Sequence, residues 1–223
     1  MNLDAIIFDM DGLLVDSEPL WDQATIAVFD QLGIRYSAAY FQETMGMRVD
    51  LIMAGWYKRA PWQGPSPAEV TAQIVERTAV LIREQAQPQP GALETVAFFR
   101  ERAIPMAVAS SSPCTIIEAN IAALGIGPDL QAVSSAVDEQ YGKPHPAVYI
   151  KTAEKLGVPP QHCLVFEDAI LGVLAAKAAE TTCICVPDPA IAADKRLGIA
   201  DYLLPSLGDF DEALWREISG TRI

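Results

Sequence analysis

Four short stretches carry residues able to do chemistry together. In Asp9-Met10-Asp11-Gly12 one carboxylate closes an apolar run and a second follows two residues later, so both sit around one point beyond a strand end. Carboxylates that close repel each other unless a proton or a cation lies between them. The chain has 2 histidines, His145 and His162, so the ligands on offer are oxygens. The expected ion is therefore hard and octahedral, hence Mg²⁺. Gly12 permits the sharp exit that leaves the pair exposed. A solvated turn or a calcium loop is the plain alternative for the same pattern. Further on, Met106 to Pro113 passes from apolar residues into Ser110, Ser111 and Ser112, where a hydroxyl and the amides after it suit phosphate oxygens. Simple helix capping would use the same residues. Gly142-Lys143-Pro144 sets a lysine in a tight turn, and an ordinary surface lysine would look no different. Phe166-Glu167-Asp168-Ala169 ends another apolar run in carboxylates, and Asp168 could cap the helix that follows.

These residues need elements that bring them together. Short apolar runs recur at 4–8, 104–109, 132–134, 163–166, 182–186 and 202–204, with helix-like segments near 113–124, 146–156, 169–179 and 208–217. Strand alternating with helix predicts the α/β class, a Rossmann-like parallel sheet covered on both faces. In such sheets ligands bind beyond the carboxyl ends of the strands. Residues 17–87 break the rhythm. Ser17 can cap a helix over 18–32, with Pro19 in its first turn and Gly33 just past its end. Met45 to Arg59 has apolar positions at helical spacing. Ser66-Pro67-Ala68-Glu69 is a capping box opening a helix to about Gln87, and Pro88-Gln89-Pro90-Gly91 punctuates the return. The reading is a core of residues 1–16 and 88–223 with a small α-helical cap, residues 17–87, inserted into it.

Composition narrows the partners. The 223 residues carry 29 Asp and Glu against 16 Lys and Arg, a formal charge of −13 with no basic cluster, which argues against nucleic acid and against an anionic membrane surface. The charge-free stretch between Arg102 and Glu118 is broken by two prolines and three serines, so no transmembrane span is expected. Asp4, Asp9 and Asp11 stand where a signal peptide would need basic and apolar residues, so a cytoplasmic location is expected. Cys114, Cys163, Cys183 and Cys185 lack metal-ligand spacing and read as reduced, buried thiols, with a reactive cysteine as the sharper alternative.

The four stretches, taken in order, resemble the motifs of the haloacid dehalogenase (HAD) superfamily of phosphotransferases. The run Asp9-Met10-Asp11-Gly12-Leu13-Leu14-Val15-Asp16-Ser17-Glu18, with the helical insert directly after it, is similar to the subgroup of β-phosphoglucomutases and small sugar-phosphate phosphatases. The resemblance covers essentially the whole chain. It implies that Asp9 is the nucleophile and that Asp11 is general acid and then general base. It implies a Mg²⁺ site formed by the Asp9 side chain, the Asp11 backbone carbonyl and Asp168, with Glu167 in or near it. Lys143 and Ser110, with the Ser111 amide, would hold the phosphoryl oxygens. Dehalogenases of the superfamily lack the second Asp and the metal site, so phosphoryl chemistry is expected here.

Residues of the cap bear on the substrate. β-Phosphoglucomutases carry a histidine on the first cap helix where this chain has Trp21, which favours hydrolysis over transfer to a sugar hydroxyl. Trp21 is either a wall facing the substrate or packing within the cap. Arg48, in Met45-Gly46-Met47-Arg48-Val49-Asp50, either grips a phosphate or sugar oxygen or pairs with Asp50 or Glu43. Trp56 to Pro65 is an aromatic-rich turn that reads as packing before it reads as a sugar platform. With Glu18-Pro19-Leu20-Trp21 it is similar to bacterial 2-deoxyglucose-6-phosphate and hexitol phosphatases. The resemblance thus implies a monomeric phosphatase acting on small phosphorylated sugars or polyols. A β-phosphoglucomutase-type isomerase is the nearest alternative, and a non-catalytic binding or regulatory protein on the same scaffold is a more distant one.

Overall fold

Short runs of apolar residues pair edge to edge to form the centre of the molecule. The computed structural model describes residues 3–220. Strands β1 (Ala5–Phe8), β2 (Met106–Ser110), β3 (Ala132–Ser135), β4 (Cys163–Glu167), β5 (Thr182–Cys185) and β6 (Tyr202–Leu203) form one sheet in the order β3-β2-β1-β4-β5-β6. Every neighbouring pair is parallel. This is a doubly wound order whose strand sequence reverses beside β1, the place where such sheets bind ligands.

Alternation along the strands divides two cores. Ile6, Phe8, Val108, Leu164, Phe166 and Ile184 face a layer rich in aromatics, where Phe99, Phe210 and Trp215 gather. Phe8 and Phe166 stack there with ring centroids 5.1 Å apart. Ala5, Ile7, Ala109, Val165, Cys183 and Cys185 face the other way, onto Val148, Tyr149, Val173 and Ala176. Helices α5 (Ala92–Glu101), α6 (Cys114–Leu124) and α9 (Glu212–Ser219) supply the first layer, and α7 (Ala147–Leu156) and α8 (Ile170–Ala178) the second.

Between β1 and α5 lie four more helices, α1 (Glu18–Leu32), α2 (Ala38–Glu43), α3 (Val49–Arg59) and α4 (Pro67–Gln85). They share a third core built on Leu20, Phe29, Met53, Trp56, Trp62 and Ile74, which also takes in Ile116 and Ala119 of α6. Trp56 and Trp62 are buried in it, so the aromatic-rich turn packs the helices. The chain enters and leaves this unit side by side: the Asp16 amide donates to the Gln87 carbonyl at 3.0 Å and the Gln89 amide to the Leu14 carbonyl at 3.0 Å.

Several local expectations are corrected. Helix α3 starts at Val49, not Met45, because Gly46 takes a left-handed φ of 78° and breaks the turn before it. Helices α2 and α5 were not apparent from the sequence pattern. Ser17 and Asp168 do not cap helices with their side chains; the Ser17 hydroxyl is spent on Asp11 instead, and Ala169 is the residue that flanks α8. Ser66 and Glu69 do form the reciprocal capping box of α4. Cys163, Cys183 and Cys185 are buried, but Cys114 is exposed at the start of α6. Partial burial and the nearby Asp138 carboxylate push its thiol pKa up, which opposes reactivity. Among the described residues no helix is long and apolar enough to cross a membrane.

The turn into α5 tests how tightly the crossing is built. Gly91 and Gly33 both take positive φ, 83° and 66°, but a Cβ on Gly91 would stand 2.0 Å from the Gly208 nitrogen whereas one on Gly33 meets nothing within 4 Å. Gly33→Ala should cost about 1 kcal/mol and Gly91→Ala about 2–4 kcal/mol in denaturant unfolding. Equal costs would show that the Gly91–Gly208 approach is not a constraint.

Candidate active site

Three strand ends converge on one cleft. Asp9 follows β1, Ser110 closes β2, and Glu167 and Asp168 close and follow β4. The Asp9 amide donates to the Phe166 carbonyl at 3.0 Å, which locks the β1 and β4 ends level. The cleft encloses about 780 Å³, part of it open to solvent, between these strand ends and helices α1 and α3.

Lys143 lies at its floor. Its side chain is 1% exposed, and Nζ donates to Asp9 Oδ1 and Glu167 Oε1 at 2.6 Å each and to the Ala109 carbonyl at 3.3 Å. All three ammonium protons are therefore in use. Burial alone would lower this lysine's pKa, but the Asp9 and Glu167 carboxylates outweigh it and hold the ammonium charged.

Glu167 is fully engaged. Tyr149 Oη also donates to Oε1, at 2.5 Å, while Oε2 accepts the amides of Asp168 at 2.9 Å and Ala169 at 3.2 Å. A carboxylate with four acceptor directions filled has none left over. The backbone leaves it little space, because a Cβ on Gly172 would meet Oε1 at 1.7 Å.

Asp168 is the opposite case: its Oδ1 is buried with no hydrogen-bond partner. Ligand atoms of Asp9, Glu167 and Asp168 all lie within 4.8 Å of one another. Three carboxylates against one ammonium leave a double negative charge in a buried place. Burial pushes Asp9 up to about 7, opposed by Lys143 and reinforced by Glu167, and burial with Glu167 and Asp9 pushes Asp168 well up. An acceptor-only set with an orphaned oxygen and a surplus of negative charge fits a hard divalent cation. Gly12, at φ 81°, brings the loop against this point, since a Cβ there would lie 2.2 Å from Asp168 Oδ2.

The Asp11 side chain is held apart from that cluster. Oδ1 accepts Ser17 Oγ at 2.8 Å, Asn120 Nδ2 at 3.1 Å and Trp21 Nε1 at 3.3 Å; Oδ2 accepts Ser112 Oγ at 2.7 Å and Ser110 Oγ at 3.3 Å. Trp21 is thus both a lining residue of the cleft and a donor to Asp11. The Ser110 hydroxyl also accepts the Ser112 amide at 3.0 Å, and Ser111 Oγ donates to the Gly46 carbonyl at 2.7 Å, so Ser111 ties the strand end to the helical unit.

Of the two readings of Arg48, the structure realises the pairing with Asp50 and not the grip on substrate. Its guanidinium forks onto Asp50 at 2.8 and 3.1 Å and donates to the carbonyls of Ala136 and Glu139 at 3.1 and 2.9 Å. Those donors are consumed in joining α3 to the loop after β3, and Arg48 is absent from the cleft lining. Sequence reasoning placed Ser112 in the serine run without its contact to Asp11, and missed Asn120 and Tyr149. Asn120 had a visible signal, a lone amide on the helix face that carries Ile116, Ile117 and Ile121; Tyr149 had none.

Removing the lysine tests the floor of the site. Lys143→Met leaves Asp9 and Glu167 facing each other, and the loss of one partner from a buried ionic cluster costs about 3–5 kcal/mol. Asp9 already has its carboxyl raised from 3.8 to about 7, so the folded chain holds a proton that the unfolded chain releases. The stability it contributes is present at low pH and lost as pH rises from about 4 to 7. The variant should therefore lose more stability at pH 8 than at pH 5 in chemical denaturation. An equal or negligible loss at both pH values would contradict this account of the floor.

Comparison with known proteins points the same way as the geometry. The chain is 41% identical over 204 residues to hexitol phosphatase B of Escherichia coli strain K12, covering 91% of this chain and 92% of that protein. The crystal structure of CbbY from Rhodobacter sphaeroides in complex with phosphate superposes with a TM-score of 0.86 at 25% identity, over 93% of this chain and 96% of that one. β-Phosphoglucomutase from Clostridium difficile shares the fold, with a TM-score of 0.82 at 20% identity over 98% of this chain and 97% of that one. The sequence pattern of the haloacid dehalogenase-like hydrolases matches residues 3–180, and this chain belongs to that family.

Proposed function

We propose that the protein is a Mg²⁺-dependent phosphatase that hydrolyses small sugar or polyol phosphate monoesters, hexitol phosphates and hexose 6-phosphates foremost. The observation that carries this reading is the placement of Asp9, Asp11, Lys143 and Asp168 around one cleft. The likeness to hexitol phosphatase B over nearly the full length of both chains supports the substrate class.

In this reading Asp9 attacks phosphorus. The new Asp9–phosphorus bond forms as the ester bond breaks, and the departing alkoxide takes a proton from Asp11. Asp11, now a carboxylate, takes a proton from water as the water oxygen attacks phosphorus, and the Asp9–phosphorus bond breaks to release phosphate. Ser110 and the Ser111 amide receive phosphoryl oxygens. Lys143 keeps its two short carboxylate contacts and exchanges its longest one, to the Ala109 carbonyl at 3.3 Å, for a phosphoryl oxygen. Asp9, Asp168 and the Asp11 carbonyl would hold Mg²⁺, which supplies charge neutralisation at the phosphoryl oxygens. Glu167 has no acceptor direction to spare and acts by holding Lys143.

The helical unit 17–87 serves as a cap over the core of residues 1–16 and 88–223. Its lining residues include Glu18 and Asp22 beside apolar Phe41, Met47 and Met53. Burial, then Asp11, Asp22 and Asp188, push Glu18 up to about 8, so near neutrality its carboxyl can donate to a polyol hydroxyl. Among the described residues Lys143 is the one cation that lines the cleft. A mutase must also hold a bisphosphate, and a distal wall with carboxylates and no cation disfavours a second phosphate. Trp21 stands where β-phosphoglucomutases carry the histidine associated with transfer to a sugar hydroxyl, and its presence favours water as acceptor.

The test is phosphate release from a panel of hexitol and hexose phosphates with Mg²⁺. Turnover is expected with Mg²⁺, is expected to vanish in EDTA, and should fall at least about a thousandfold in Asp9→Asn with the fold intact. β-Glucose 1-phosphate supplied with a sugar bisphosphate should yield free phosphate. Rapid glucose 6-phosphate formation without phosphate release would establish the isomerase instead.

A further inference from the structure

We propose that Asn120 is a positioning residue that orients the Asp11 carboxylate for proton transfer to the leaving alcohol. The inference rests on the reading of Asp11 as the general acid, and goes beyond it by assigning a role to a residue outside every motif.

Asn120 lies on α6, is fully buried, and sits among Ile116, Ile117 and Ala119, which are buried too. An amide at such a place costs free energy unless its donors and acceptor are matched. Here the donor side is matched by one group alone among the described residues: Nδ2 donates to Asp11 Oδ1 at 3.1 Å. The acceptor Oδ1 has no partner. A leucine of similar size would avoid that unpaired oxygen, so fold stability gives no reason for the amide at this position. Its one contact is with the carboxylate that must deliver a proton.

The other four donors to Asp11 stand elsewhere in the fold. Ser17 and Trp21 belong to the helical unit, while Ser110 closes β2 and Ser112 follows it, where the phosphoryl group is proposed to bind. Asn120 stands on α6 of the core, whose Ile116 and Ala119 also pack against α4 of the helical unit. Unlike Ser110 and Ser112 it does not line the cleft, so it keeps its hold on Asp11 when Ser110 turns to a phosphoryl oxygen. Asp11 then keeps one oxygen fixed by Asn120 and presents the other to the ester oxygen. The proton moves from that second oxygen to the alkoxide as the ester bond breaks.

The test compares leaving groups. A hexitol phosphate releases a basic alkoxide that needs a proton, whereas p-nitrophenyl phosphate releases a phenolate that does not. kcat/KM reports the step that expels the alcohol in both cases. For Asn120→Leu the ratio of kcat/KM on hexitol phosphate to that on p-nitrophenyl phosphate should fall about tenfold, the weight of one hydrogen bond to a charged group. Asn120→Ser, measured beside it, guards against a folding failure and should lower the ratio likewise. In an Asp11→Ala background, where the ratio has already collapsed, Asn120→Leu should change it no further. A residue with a purely structural role would lower both substrates equally and leave the ratio intact, and that result would overturn the inference while the Asp11→Ala collapse upheld the general acid. An unchanged ratio in Asp11→Ala itself would overturn the reading of Asp11, and the inference with it.

Discussion

A lysine ammonium buried between two carboxylates sets the terms for everything around it. Lys143, Asp9 and Glu167 are all withdrawn from water, and charges so placed persist only when each is paired and hydrogen-bonded. Glu167 meets that condition with Lys143, Tyr149 and two backbone amides. Asp9 meets half of it, with one oxygen on Lys143, and Asp168 does not meet it at all on Oδ1. Both residues line the cleft, where the proposed cation and phosphoryl group would meet the unmet remainder. Glycines at 12 and 172 follow from the same arrangement, since a side chain on either would strike a carboxylate of the cluster.

The sheet makes that cluster possible. Residues 9, 143 and 167 come from distant parts of the sequence, and parallel pairing of β1 with β2 and β4 brings the strand ends level to within a hydrogen bond. The overall charge of −13 offers an anionic substrate no long-range attraction. In the proposed reading, attraction comes from the cleft itself, from Lys143, strand-end amides and the cation that the acidic cluster would hold.

Much of the strand pattern was legible in the sequence. The six apolar runs became the six strands, and Glu18 to Leu32 and the Ser66 capping box became helices where local chemistry placed them. Short elements were less legible: α2 has six residues, too few for a periodic signal, and α5 hides behind the Pro88–Gly91 punctuation. Side-chain partners were the least legible. A sequence shows Ser17 before a helix and suggests a cap, but the competing acceptor, the Asp11 carboxylate, is a neighbour only after the loop folds back. Arg48 has the composition of a substrate ligand, yet two core carbonyls and Asp50 take its donors first. Tyr149 reaches Glu167 from a helix eighteen residues away, and no local rule encodes that meeting.

The central claim is that the cleft floor makes Asp9 a nucleophile. Mass spectrometry of enzyme quenched in acid during turnover of a hexitol phosphate tests it most directly. One phosphoryl group should be found on the peptide that contains Asp9, and none should form in Asp9→Asn. A phosphoryl group on another peptide, or rapid turnover with Asp9 unmodified at every quench time, would contradict the account.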